Sequence, residues 1–396
     1  MNLLFIHEVS FLNNVTYEWQ QWPALLAERG HDVYIIDYES KWHKERPFDL
    51  ISKYQEVNFA RPHQKSSVEL IHPSFIKVPV LSRASAWATH WEAIERTIRD
   101  KQIDVIILYS VPTNGLQTVR IAKKYGVPIV FRSIDTLNQL VHNKLLSRIT
   151  RIMEREVYSK ADLILTICPA LSRYVTDMGA DKDRVKVLPL GVDTEVFKPN
   201  IDTSYWRDLY QLFEVSKIVI FVGTLPRFCG LGKFIHSFPN IVKEVPEAML
   251  VIVGDGEQAT DLSRMVADCG LDDYVVMTGY QSFENIPELI NLASVCINPF
   301  PICGATKDIF PTKVIQYLAC GKPVVSTPLP GLVDMVREEI NGIVYTDKWV
   351  ETIVKLLKSD GRRESLGKSG LEYVKRVHDY GKIVDQLELE LEKVLN

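Results

Sequence analysis

A chain of 396 residues, 46% hydrophobic and 24% charged, is too long for one ordinary core and too apolar for a disordered tract, so two globular domains are expected. The formal net charge of −4 conceals an asymmetry: residues 1–190 carry 25 Lys and Arg against 21 Asp and Glu, and the remainder 21 against 29. A basic half beside an acidic half fits an anionic partner or acceptor for the first half, or simply unevenly solvated faces.

No apolar run reaches 18 residues, so no membrane span is expected, and no nucleic-acid partner is expected either. Six cysteines, at 168, 229, 269, 296, 303 and 320, include no CxxC pair, and Cys296 lies inside an apolar run. That usage suits the reduced thiols of a cytoplasmic protein better than disulfides or a zinc site. The opening Asn2–Ile6 run is short and lacks a preceding basic segment. It reads as a buried first strand rather than a signal peptide.

Along the chain, short apolar runs alternate with longer amphipathic segments. NLLFIHEV, DVYIIDYE, DVIILYSV, PIVFRSID and ADLILTICP come first. KIVIFVGTL, AMLVIVGDG, YVVMTGY, SVCINPF, KPVVSTP and GIVYT follow. Runs of four to eight residues rich in Val and Ile suit parallel strands covered on both faces, and the segments between them, such as 19–29 and 285–293, have helical apolar spacing. Two doubly wound α/β domains follow, spanning 1–190 and 191–377, with the boundary near 185–199. A final helix at about 378–396 lies outside both strand patterns and is assigned to the first domain.

In open parallel sheets ligands bind outside the carboxyl ends of the strands. In the second half those ends carry Gly223, Gly254 with Asp255 and Gly256, and Gly279 with Tyr280, and the loop 299–310 carries Gly304. One such glycine is ordinary turn chemistry, but several at one sheet edge suggest a ligand cleft.

The segment 303–329, CGATKDIFPTKVIQYLACGKPVVSTPL, is the most specific. Pro311 suits a first helical position and Gly321 a C-terminal cap, which predicts a helix over 311–320. Its N-terminus would offer unpaired N–H groups and a positive dipole end to a phosphate. Asp308 stands just before it, where it could serve as the N-cap. Lys313 and Gln316 share one helix face, with Val314, Ile315 and Leu318 on the buried side.

These blocks, in this order, resemble the retaining GT-B glycosyltransferases, a group that includes many mannosyl- and glucosyltransferases. AERGHDV at 27–33, ADLILTICPALSRYV at 161–175, LPLGVDTEVFKP at 188–199, VIVGDGE at 251–257, VMTGY at 276–280 and PTKVIQYLACGKPVV at 311–325 carry the resemblance, which covers most of the chain. It implies two Rossmann-like domains facing a central cleft, with the acceptor on the first. The nucleotide sugar, UDP- or GDP-linked, sits on the second at Gly223, Thr224, Gly254, Asp255, Gly256, Tyr280, the loop Gly304-Ala305-Thr306-Lys307-Asp308, and Pro311, Thr312, Lys313 and Gln316. It implies metal-independent hexosyl transfer with retention, in glycan, glycolipid or glycosylated-metabolite synthesis, and no cofactor beyond the co-substrate.

The chain also departs from the family pattern. Asp308 and Gln316 stand where the family has two glutamates, so the charge at the ribose contact is lost. Thr224 follows Gly223 where Arg is usual, and Cys229-Gly230 replaces Lys-Gly, so both usual cations are missing from their usual places. Arg227, between them, is the expected replacement diphosphate contact, supported by Lys313; otherwise it is a solvated loop residue. In FRSIDTL, Ile134 takes the place of the family's His, while Asp135 is kept, as an acceptor or sugar contact or a cap for the next helix. Glu8, Asn13 and Asn14 occupy a loop that is Gly-rich in relatives and are the remaining acceptor-side candidates. Loss of the usual cations also fits a non-catalytic, nucleotide-sugar-binding partner subunit, and a nucleotide-sugar 2-epimerase is a more distant alternative on the same fold.

Two further patterns stand apart from the site. Asp181-Lys182-Asp183 has the spacing of a metal-binding DxD but lies in a polar turn. The helix expected over 140–160 carries Lys144, Arg148, Arg151, Arg155 and Lys160 among Leu145, Leu146, Ile149 and Ile152. Such a helix either lies on an anionic membrane surface, placing the protein peripherally at the inner membrane, or packs half-buried on its own domain.

Overall fold

A computed structural model describes residues 1–11, 18–39, 50–59, 68–78, 81–141 and 143–396. Asn13 and Asn14 lie outside the described residues. The chain divides into two compact units, residues 1–188 with 384–396, and residues 189–383.

The first unit is built on eight strands: β1 (Asn2–Ile6), β2 (Asp32–Ile36), β3 (Gln55–Phe59), β4 (Val68–His72), β5 (Val105–Leu108), β6 (Ile129–Ser133), β7 (Leu163–Thr166) and β8 (Val185–Val187). Their spatial order is β3-β4-β2-β1-β5-β6-β7-β8, and only the β3–β4 pairing is antiparallel. The central strands are sealed on both faces: Leu3, Leu4, Phe5 and Ile6 of β1 and all of β5 are fully buried. This explains why their sequences are continuous apolar runs.

Strands β3, β4 and β8 were not expected from the sequence. β3 is an edge strand exposed from Gln55 to Asn58, so burial imposes no apolar pattern on QEVNF. β8 has only three residues, none fully covered. Val384, Leu387 and Leu391 of the last helix, Tyr380–Leu395, are buried, and its outer side is tied by Glu388 to Arg29 and His31 and by Glu390 to Lys186.

Strand β6 carries a charge into this core. Arg132 donates to both carboxylate oxygens of Glu18, at 2.7 and 2.6 Å, and to the Leu188 carbonyl at 2.6 Å, with its guanidinium over the Trp22 ring. Both partners are essentially inaccessible, at 0% and 1% side-chain exposure.

The second unit is a six-stranded parallel sheet: β9 (Lys217–Val222), β10 (Ala248–Val253), β11 (Val275–Gly279), β12 (Val295–Asn298), β13 (Val324–Ser326) and β14 (Ile343–Tyr345), in the order β11-β10-β9-β12-β13-β14. All six apolar runs of the second half form strands here. The order reverses direction between β9 and β12, which makes the carboxyl ends of those two strands the topological switch point.

Candidate functional site

Three strand ends of the second unit are joined by backbone hydrogen bonds, Gly223 N–H to Val253 and Gly254 N–H to Gly279, each 2.9 Å. The approach is so close that a Cβ on Gly254 would lie 1.9 Å from the Gly223 carbonyl oxygen. Only glycine fits there, and the result is a smooth backbone floor at the carboxyl edge of the sheet. Asp255 folds back on this floor, accepting from the Gly256 N–H at 2.7 Å, while Thr224 and Tyr280 are exposed along it.

The helix Thr312–Ala319 is fastened to this floor from below. The Val222 N–H donates to the Tyr317 hydroxyl at 2.7 Å, so the helix cannot slide relative to β9. Pro311, with ψ of 113°, is the N-cap residue rather than the first helical residue, and its own side chain makes no capping hydrogen bond. Asp308 therefore does not act as the N-cap. Its carboxylate is half-buried, 3.6 Å from the Lys307 ammonium. The helix start lies at the switch point, where the positive end of the helix dipole suits an anion.

Lys313 does not point outward with Gln316, as the shared helix face suggested. Its ammonium is buried 3.7 Å from the Phe221 ring centroid and 4.4 Å from that of Phe300, without a hydrogen-bond partner among the described residues. A Cβ on Gly223 would be 2.8 Å from this nitrogen. Two aromatic faces attract a cation, but they do not replace its lost hydration. Burial accordingly lowers the Lys313 pKa to about 7, offset only slightly by Cys229. The buried cation thus stands between the ends of β9 and β12, beside the helix start. Gln316 is half-buried and its amide makes no side-chain hydrogen bond among the described residues.

Other expected residues are placed differently. Arg227 is 87% exposed and 3.4 Å from Glu257, itself exposed, so its placement supports the loop reading and not a principal diphosphate contact. It lines a cavity of about 980 Å³ with Phe228, Lys233, Ile302 and Trp349, a pocket that includes none of Gly223, Asp308, Lys313 or Gln316. Thr306 is fully buried and its hydroxyl is used inside the loop, donating to Pro301 O and accepting from Cys303 N–H, so it shapes the loop and is not free for a ligand. Gly304 and Lys307 are exposed and Ala305 is half-buried on the outer surface of that loop.

In the first unit the strand order reverses between β1 and β5. Glu8, just after β1, accepts from the hydroxyls of Ser110 and Thr113 and pairs with Arg83, so it knits this edge together. Beside it lies His7, which no sequence pattern marks; its ring is 4.9 Å from that of Tyr109, with neither nitrogen hydrogen-bonded among the described residues. Burial holds His7 neutral, with a pKa near 3. Asp135 caps nothing: the next helix, Leu137–Leu140, has Thr136 as N-cap. Its carboxyl has no hydrogen-bond partner among the described residues, and burial raises its pKa to about 7. Asp181 accepts from the Asp183 N–H at 3.0 Å, so this pair closes its own surface turn.

With the geometry in place, comparison with known proteins is informative. The family described as "Glycosyl transferases group 1" matches residues 216–359, and the "Glycosyl transferase 4-like domain" matches residues 18–191. A GDP-mannose-dependent alpha-(1-6)-phosphatidylinositol monomannoside mannosyltransferase of Mycobacterium tuberculosis is 29% identical over 51% of the chain and 54% of its own length. A D-inositol 3-phosphate glycosyltransferase of Acidothermus cellulolyticus is 27% identical over 65% of the chain and 60% of its length. The matched stretches thus span between half and two thirds of these relatives. Among solved structures, Anabaena HepE in complex with UDP superposes with a TM-score of 0.72 at 15% identity, covering 99% and 100% of the two chains. Sucrose-phosphate synthase of Thermosynechococcus elongatus does so at 0.74 and 18%, covering 100% and 99%.

Proposed function

Because the chain belongs to the group 1 glycosyltransferases and has the GT-B fold, we propose that it transfers a sugar from a UDP- or GDP-linked donor to an acceptor hydroxyl, with retention of the anomeric configuration. The observation that carries this reading is the pairing of a helix start at Thr312 with the buried Lys313 ammonium under Gly223, which has no hydrogen-bond partner among the described residues.

Breaking the anomeric C–O bond leaves negative charge on the diphosphate. Preorganised dipoles and cations aimed at that charge lower the barrier because they need no rearrangement at the moment of reaction. In this reading the counter-charge comes from the chain. The first-turn N–H groups meet the diphosphate oxygens and Lys313 stands behind them, in place of the cations that relatives carry near Thr224 and Cys229. The backbone floor of Gly223, Gly254 and Gly256 admits the diphosphate closely. Gln316 meets the ribose, Asp308 and the Ala305 region the sugar, and Tyr280 the exposed rim of the nucleotide. Asp135 serves the acceptor side. The departing phosphate accepts the acceptor's proton, so no separate general base is required.

Both nucleotide types are considered because HepE was solved with UDP and the mannosyltransferase relative uses GDP-mannose. The six free cysteines support a cytoplasmic location. The test is nucleotide release from a panel of UDP-, GDP- and ADP-sugars, alongside thermal shift with the free nucleotides, where any bound donor raises the melting temperature. Slow hydrolysis of one donor class supports the reading. No stabilisation and no release by any of them overturns it.

A further inference from the structure

The helix Lys144–Lys160 of the first unit buries the opposite set of residues from the one its composition suggests. Its inner side consists of Thr150, Glu154, Val157 and Tyr158. Glu154 is held there by three donors: Asn138 at 2.7 Å, the Tyr174 hydroxyl at 2.9 Å and the Tyr158 hydroxyl at 3.0 Å. The apolar residues face outward: Leu145 is 66% exposed, Leu146 54%, Ile149 45% and Ile152 68%. The arrangement is not a frayed end, because the Asn143 side chain accepts from the N–H groups of Leu145 and Leu146 and caps the first turn.

At about 100° per residue, Leu145, Ile149 and Ile152 form one outward row. Lys144, Arg148, Arg151 and Arg155 form a second row beside it, all exposed. From Lys144 to Met153 there is no acidic residue; Glu156, one turn past Ile152, ends the apolar row. Contiguous exposed apolar area on a soluble surface signals a partner, and a flanking cationic row selects an anionic one.

We propose that this face of the helix docks the chain on an anionic lipid surface, the leucine and isoleucine row entering the headgroup boundary while the arginine row pairs with lipid phosphates. A protein partner would be expected to meet the cations with discrete carboxylates. A continuous row of four cations running parallel to an apolar row instead matches a planar array of negative charge over hydrocarbon. The proposal concerns the first unit only and does not depend on which donor the second unit binds.

Co-sedimentation of the 396-residue chain with phosphatidylcholine vesicles, and with vesicles containing one third phosphatidylglycerol, tests it. The expected result is at least tenfold tighter partitioning to the anionic vesicles, weakened as salt is raised, since screening shortens to about 3 Å at 1 M. The variants L145Q/I149Q/I152Q and R148Q/R151Q/R155Q should each lose most of this binding. All six positions are exposed, so both variants should keep the wild-type melting temperature, and they should still release nucleotide from the donor at the wild-type rate in the absence of vesicles. Equal partitioning to both vesicle types, or binding unchanged in both variants, overturns the proposal. So does a concentration-dependent dimer that L145Q/I149Q/I152Q dissociates while wild type ignores vesicles.

Discussion

The Lys313 ammonium lies 3.7 Å from the centroid of the Phe221 ring, inside the protein and without a hydrogen-bond partner among the described residues. A buried cation with no counter-charge destabilises the fold that contains it. Its placement at the switch point, beside the start of the helix Thr312–Ala319, makes sense when an anion arrives to complete it.

Stability should reveal this directly. The folded-state pKa of Lys313 is about 7 against an ordinary 10.5. Between those values the unfolded chain binds more protons, so this group makes stability rise with pH from about 7 to 10, and its burial penalty is full below pH 7. Lys313→Met, similar in volume and uncharged, should therefore match or exceed the wild-type melting temperature at pH 6.5. That advantage should shrink by pH 9.5. A loss of several degrees at both pH values would show that the ammonium is satisfied in the fold.

Gln316→Glu should lower the donor KM severalfold if the side chain meets the ribose, because a carboxylate makes the stronger, charge-assisted hydrogen bond. A raised KM would mean that the pocket requires a neutral group. Steady-state kinetics with the preferred donor separates the two.

Asp135 has its carboxyl raised to about 7 from 3.8 by burial. The folded chain then binds the extra proton between about pH 4 and 7, so this group's contribution to stability falls as pH rises through that window. Asp135→Asn should leave the protein more stable than wild type at pH 8. As an acceptor-side contact, it should also cut kcat/KM at least tenfold while leaving the dissociation constant for free nucleotide unchanged. An unchanged kcat/KM would remove Asp135 from the site.

Arg132→Met strands the Glu18 carboxylate in the core of the first unit. Breaking a buried pair from one side costs about 3–5 kcal/mol. The double substitution Glu18→Leu with Arg132→Met should recover most of it, as judged from the urea midpoints of the first unfolding transition.

The fold was legible where burial dictates composition. The central strands β9, β10 and β12 of the second unit read as apolar runs because both faces are covered, whereas β3, exposed along an edge, carries no such constraint. Pro311 and Gly321 located the helix over 312–319 to within a residue at each end. The direction of Lys313 was not legible. Helical spacing places it with Gln316, but a four-carbon stem can turn back, and the space under Gly223 exists only because that residue lacks a Cβ. Arg227 has a suggestive loop position, yet whether a loop cation faces a ligand depends on tertiary packing, and here it faces solvent. Arg132 did leave a signal, a charge inside the apolar run PIVFRSID, but its partner lies 114 residues away. In the helix Lys144–Lys160, composition alone could not say which side faces the core, because that was decided by the hydrogen bonds to Glu154.

The central claim, that the Thr312 helix start and Lys313 form the donor diphosphate site, is tested most directly by calorimetric titration of UDP and GDP into three proteins at pH 7. Wild type should bind at least one of the two. Arg227→Ala should bind it within about threefold of wild type, and Lys313→Met at least tenfold more weakly, a loss of about 1.4 kcal/mol. Nucleotide binding that Lys313→Met leaves intact would contradict the claim.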